Sequence, residues 1–192
     1  VEHLEPFSDT FPVYVGSYAQ HLSVLDAMLE LAKRLDAPCI RVFPFRREDG
    51  VSKNACEIIE DIADRLRGPA ERARQAGRVI AVENCPHSYL AQGRHTYELV
   101  KKVDNPGCGM LWDVGNSFKN QIKAGNRRPD EVDMTREFLE ISDAVAHVHL
   151  KDYALDSETI KHVRLGAGDA GYSSILKAMN TVGFEGYASL EP

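Results

Sequence analysis

The chain has 192 residues, 43% hydrophobic and 27% charged, a size and balance that fit one globular domain with a real core. Its 29 acidic residues outnumber 23 basic ones, for a net charge of −6, which argues against the broad basic surface that neutralises phosphates in a nucleic-acid-binding protein. No apolar run approaches the length of a bilayer crossing and no signal-peptide pattern is present, so a cytoplasmic protein without membrane attachment is expected.

Short apolar runs then alternate with longer amphipathic stretches. Val13-Tyr14-Val15 is the first strand candidate. Residues 22–35 follow at helical spacing, with Leu22, Leu25, Leu29, Ala32 and Leu35 on one face, and Pro38 marks the end because proline cannot continue a helix. Cys39-Ile40-Arg41-Val42-Phe43 is the second strand. Residues 54–67 place Ala55, Ile58, Ile59, Ile62 and Leu66 at helical spacing; Gly68-Pro69 is expected to kink or split that helix, and Gly77 to stop it. Val79-Ile80-Ala81-Val82 reads as a buried strand, 96–103 as a helix and Gly109-Met110-Leu111-Trp112 as a strand. Residues 116–130 are polar, with Lys119, Lys123, Arg127 and Arg128, and read as a solvated loop. Pro129-Asp130 opens a helix to about Glu140, and 144–150 form the next strand. Ser173 is the expected N-cap of a helix over 175–182 that ends at Gly183, and residues 187–190 make the last strand. Six strands separated by five helical segments predict an α/β fold of parallel strands joined by helical crossovers.

The strand ends carry the chemistry. Glu83, Asp113, His149 and Glu191 close four successive strands at separations of 30, 36 and 42 residues, each the size of one βα unit. In a closed parallel barrel those carboxyl ends converge on one mouth, where active sites are built. Three carboxylates packed there repel unless something neutralises them, and a donor set of three oxygens and one nitrogen suits a single divalent cation: Mn²⁺ first, or Mg²⁺, Co²⁺ or Zn²⁺. Taken singly, Glu83 and Asp113 are equally good caps for the helices that follow, and His149 a packed core histidine; the common register favours the joint reading. By period two, His147, His149 and Lys151 share one face, a costly row in an apolar core and a sensible one in a polar cavity. Lys151 is thereby a candidate to hold a substrate oxygen or phosphate, its bland alternative being a salt bridge to Asp152. Gly166-Ala167-Gly168-Asp169 is a turn and not a phosphate loop. The four cysteines, Cys39, Cys56, Cys85 and Cys108, form no CxxC pair and fit free thiols in a reducing compartment.

Ala81-Val82-Glu83-Asn84, Trp112-Asp113-Val114-Gly115-Asn116, His147-Val148-His149-Leu150-Lys151-Asp152, Gly166-Ala167-Gly168-Asp169 and Ser189-Leu190-Glu191 together resemble the sugar phosphate isomerase/epimerase family of xylose isomerase-like (β/α)8 TIM barrels. The resemblance implies Glu83, Asp113, His149 and Glu191 as ligands of one divalent metal ion. It implies Glu83 and Glu191 as the acid/base pair that moves a proton beside a carbonyl through an enediolate, and a small sugar or polyol as substrate. A homo-oligomer is compatible with it. Many such epimerases have histidine where this chain has Asn116, which still offers a hydrogen bond to a sugar hydroxyl but carries no proton. Their substrate-gripping arginine has no match near Leu155. A keto-cyclitol dehydratase on the same site is the alternative. A DNA-repair nuclease like endonuclease IV is a more distant one: His162 matches one of its zinc histidines, but Ile160 and Asn116 stand where it has further ligands. A full (β/α)8 barrel takes about 250 residues. With six strands, this chain is expected to be a single domain over 1–192 that begins near the third strand of the family order. It would lack the first two βα units and the last helix.

Overall fold

A computed structural model describes residues 17–45, 55–125, 128–157 and 159–191. The strand expected at Val13-Tyr14-Val15 lies outside them.

The first helix, α1 (Tyr18–Leu35), begins four residues before its apolar face does, because Ser17 caps it: the Ser17 hydroxyl accepts from the Gln20 N–H, and the Gln20 side chain accepts from the Ser17 N–H at 2.6 Å. After β1 (Cys39–Val42) comes α2 (Ala55–Gln75), which runs through Gly68-Pro69 where a break was expected. The reason is a replacement donor. Pro69 has no N–H to give the Arg65 carbonyl four residues back, and the Tyr18 hydroxyl of α1 donates to that oxygen at 2.8 Å.

The chain continues through β2 (Val79–Glu83), α3 (Gly93–Val103) and β3 (Cys108–Asp113). The stretch expected as a solvated loop is largely a helix, α4 (Val114–Gly125). Val114, Phe118 and Ile122 recur every four residues and are buried, a narrow stripe among polar neighbours. The single helix expected from Pro129 is divided into a 3-10 turn, Pro129–Glu131, and α5 (Met134–Ile141), whose N-cap is Asp133. Next come β4 (Val145–Leu150) and an antiparallel hairpin that the sequence did not suggest, β5 (Asp152–Asp156) with β6 (Thr159–Val163). Helix α6 (Tyr172–Thr181) starts from Gly171, whose φ of 77° suits glycine, and not from Ser173; β7 (Tyr187–Leu190) closes the order.

Strands β1-β2-β3-β4-β7 form one parallel sheet in that order. Alternate residues of one face, including Ile80, Val82, Met110, Trp112 and Val148, join Ile62, Leu99, Phe118, Phe138 and Ile175 of the helices in a single apolar core. Each large side chain so buried contributes about 1.5–3 kcal/mol. The other face carries Arg41, Glu83, Asp113, His147, His149 and Ser189. In β4 the register skips Ala146, since Met110 pairs with Val145 and Leu111 with His147. That bulge lets Val145 join the core while both histidines face the other way. The sheet is an arc of an incomplete (β/α)8 barrel, with its polar residues at the carboxyl ends of the strands. Among the described residues no helix is long and apolar enough to cross a membrane.

Candidate metal centre

Glu83 ends β2, Asp113 ends β3, His149 lies one residue from the end of β4, and Glu191 follows β7. Register sets them level: Asp113 pairs with His149, and His149 with Ser189. One donor atom from each of the four lies within 4.8 Å of the others. His149 Nδ1 is 3.1 Å from Glu191 Oε2, 3.3 Å from Glu83 Oε1 and 3.8 Å from Asp113 Oδ2. Glu83, Asp113 and His149 are buried, and the Glu191 side chain is 35% exposed.

Asp113 divides its two oxygens. Oδ1 accepts the Asn116 N–H at 2.7 Å and so caps α4, as the helix-cap reading of the sequence required, while Oδ2 faces the cluster. Asn84 fixes the strand end behind it: its amide donates to the Asp113 carbonyl at 2.9 Å and its side-chain oxygen accepts the Asp113 N–H at 2.7 Å. Asn116 closes this network by donating to the Asn84 carbonyl at 3.1 Å.

Three buried atoms, Glu83 Oε2, Asp113 Oδ2 and His149 Nδ1, lack a well-aligned hydrogen bond and are satisfied only by ion-pair contacts. Glu83 Oε1, Asp113 Oδ2 and Glu191 Oε2 converge on His149 Nδ1, each within 3.8 Å of it. Three carboxylates and an imidazole so arranged fit a divalent cation, by donor type and by need.

Two side-chain cations already touch the carboxylates. The Lys151 ammonium is 2.7 Å from Asp113 Oδ2 and 2.9 Å from Glu191 Oε2. Arg41, on β1, approaches the outer oxygens of both glutamates, Nε at 3.4 Å from Glu83 Oε2 and Nη1 at 3.9 Å from Glu191 Oε1. Burial works against charge on Lys151, but Asp113 and Glu191 outweigh it and raise its pKa. Burial likewise opposes a charged His149; Asp113 and Glu83 overcome it and hold the imidazole at about 9. His147 goes the other way, lowered by burial and by its neighbour His149, whose ring meets it edge-on at 5.5 Å; its Nε2 is 2.8 Å from Ser189 Oγ.

Lys151 is seated with care. The Tyr172 hydroxyl donates to its carbonyl at 2.8 Å and accepts its N–H at 3.1 Å, supplying the partners that β4 loses where it leaves the sheet. Its stem packs on Gly115, where a Cβ would lie 2.6 Å from Lys151 Cγ. Lys151 does not pair with Asp152. That carboxylate turns away and is buried, accepting N–H groups from Tyr153, Gly166 and Gly168 at 2.9 Å and Ala170 at 3.4 Å. The glycine-containing turn is thus a loop wrapped around one aspartate, and Gly168 is needed there because a Cβ would strike Asp152.

A family model of xylose isomerase-like TIM barrels matches residues 17–192. The chain belongs to this family. An uncharacterised protein of Methanocaldococcus jannaschii is 25% identical over 97% of the chain, which spans 62% of that relative's length. Among solved structures, a probable 3-DHS dehydratase involved in petrobactin synthesis from Bacillus anthracis superposes with a TM-score of 0.72 at 17% identity, over 93% of this chain and 66% of its own. A D-tagatose 3-epimerase-like protein gives 0.70 at 22% identity, over 96% and 67%. A xylose isomerase-like TIM barrel protein from Mycobacterium smegmatis in complex with magnesium gives 0.70 at 18%, over 90% and 60%. These likenesses establish the fold.

Arg41, Asn84 and Tyr172 were not singled out from the sequence. For Arg41 a signal existed: it is the charged residue out of phase with Ile40 and Val42 in an apolar strand, which places it on the face opposite the core.

Proposed function

We propose that the protein is a divalent-metal-dependent sugar isomerase or epimerase, with Glu83, Asp113, His149 and Glu191 as ligands and Glu83 and Glu191 also as the acid/base pair. The observation that carries this reading is the convergence of three carboxylates and His149 within 4.8 Å, three of the four residues being buried. Mn²⁺ is the cation proposed first, with Mg²⁺, Co²⁺ and Zn²⁺ also suited to the set. When bound, such a cation polarises the substrate's carbonyl and lowers the pKa of the adjacent C–H.

The chain's own groups do the rest. Glu83 and Glu191 reach in from β2 and β7, on either side of β3 and β4. One carboxylate takes the proton from carbon, giving an enediolate, and a carboxyl group returns a proton to carbon from its own side. Lys151 and His147 hold substrate oxygens, and the Asn116 carboxamide oxygen accepts from a hydroxyl. Family membership and the epimerase-like and dehydratase neighbours support an enzyme acting on a small polyhydroxylated substrate.

The test is to strip the protein with chelator, restore each cation singly, and follow solvent deuterium entering a panel of ketoses. Exchange that requires metal and is lost in Glu191→Gln supports the proposal. Metal-dependent cleavage of abasic DNA without sugar exchange would sink it.

A further inference from the structure

Lys151 is held where the proposed cation would bind. Its ammonium sits 2.7 Å from Asp113 Oδ2 and 2.9 Å from Glu191 Oε2, two of the oxygens assigned to the metal, and its side chain is only 13% exposed. Charge makes this contact conditional. Lys151 and Arg41 both lie against these carboxylates. A dication brought among them repels both, and its charge density at the shared oxygens exceeds that of an ammonium. The backbone beneath need not move, because Tyr172 grips both the N–H and the carbonyl of Lys151. Only the flexible stem has to swing.

Resting on the metal reading above, we propose that the Lys151 ammonium and the divalent cation compete for Asp113 Oδ2 and Glu191 Oε2. Loading the centre expels the ammonium toward the mouth of the barrel, where it meets the substrate. Lys151 is then a built-in counter-cation: it neutralises the carboxylates before loading, and it becomes available to a substrate oxygen only once metal has arrived.

Two measurements test this without any substrate. The first titrates Mn²⁺ into wild type, Lys151→Gln and Lys151→Met by calorimetry. With the resident competitor gone, affinity should tighten by about tenfold or more, the size expected for removing one adjacent unit charge. Equal or weaker binding overturns the proposal, since it makes Lys151 a support of the ligands and not their rival. The second needs no variant: acetic anhydride labelling of the wild-type protein, read by mass spectrometry with exposed Lys161 as internal reference. Lys151 should label faster with excess Mn²⁺ than with chelator, and an unchanged or slower rate overturns the proposal. Wild type that takes up no divalent cation defeats the metal reading itself, and this inference with it. Uptake without either Lys151 effect defeats the inference alone.

Discussion

Replacing Asp152 with asparagine should cost about 2–3 kcal/mol. Its two oxygens take four backbone N–H groups: Oδ1 those of Tyr153 and Ala170, Oδ2 those of Gly166 and Gly168. A carboxamide keeps one acceptor oxygen and turns hydrogens toward the other pair. The cheaper orientation surrenders Oδ1, where the Ala170 contact is long at 3.4 Å and only the Tyr153 bond, at 2.9 Å, is a full loss. A hydrogen bond to a charged group is worth about 1.5–3 kcal/mol, and the bonds that remain lose their charge assistance. Gly166 belongs to an exposed stretch and can turn to water, so its bond is discounted. With a urea dependence of about 2 kcal/mol per molar, the unfolding midpoint should fall by about 1–1.5 M. A shift under about 0.3 M would refute the claim that the 166–170 loop is organised around this carboxylate.

Two further outcomes follow from buried contacts. Burial holds the Glu137 carboxyl above the ordinary range of about 4.3, against hydrogen bonds from Ser117 and Trp112 that favour ionisation. The stability that this neutral acid contributes is complete below the unfolded pKa and is lost as pH rises through the folded one, so wild type should weaken relative to Glu137→Gln above about pH 4.5. Trp112, the chain's single tryptophan, donates its indole N–H to Glu137 at 3.0 Å, and its fluorescence should report the same titration and fall silent in the variant. Gly115→Ala should lower stability by about 1–2 kcal/mol: alanine gains about 1 kcal/mol of helix propensity, but the new Cβ would lie 2.7 Å from the Lys151 carbonyl oxygen and 2.8 Å from the Tyr153 ring. A rise in the midpoint in urea would show that this crowding is not real.

The residues that the structure brings together were legible because each parallel strand ends at the same pole, so one polar residue per βα unit marks a common height. Glu83, Asp113, His149 and Glu191 could therefore be picked out without knowing any crossing angle. What escaped detection depended on partners distant in sequence. Pro69 signals a break unless Tyr18 is known to stand beside Arg65. Helix α4 buries only a narrow stripe, and its signature drowned in Lys119, Asn120, Gln121 and Lys123. Among the described residues the β5–β6 hairpin pairs only with itself, and its exposed β6 carries no strong alternation. The alternative role of Lys151, a salt bridge to the adjacent Asp152, does not form because the end of β4 sends the two side chains opposite ways.

Asp113 serves two masters, and in the proposed metal centre that would set how ions of different radius are tolerated. Its Oδ1 cannot follow a larger or smaller ion without releasing the first turn of α4, and Asn84 clamps the peptide on which it stands. Glu191 is the opposite case: its side chain is 35% exposed, and its carboxylate contacts His149, Lys151 and Arg41 with no backbone N–H among its partners in the described residues. In the proposed metal centre, adjustment to a new ionic size would therefore fall to Glu191, while Asp113 would stay fixed. On that proposal, exchanging one divalent ion for another would leave Asp113 in place and move Glu191, which makes the end of β7 the place to alter when selectivity among cations is the engineering goal.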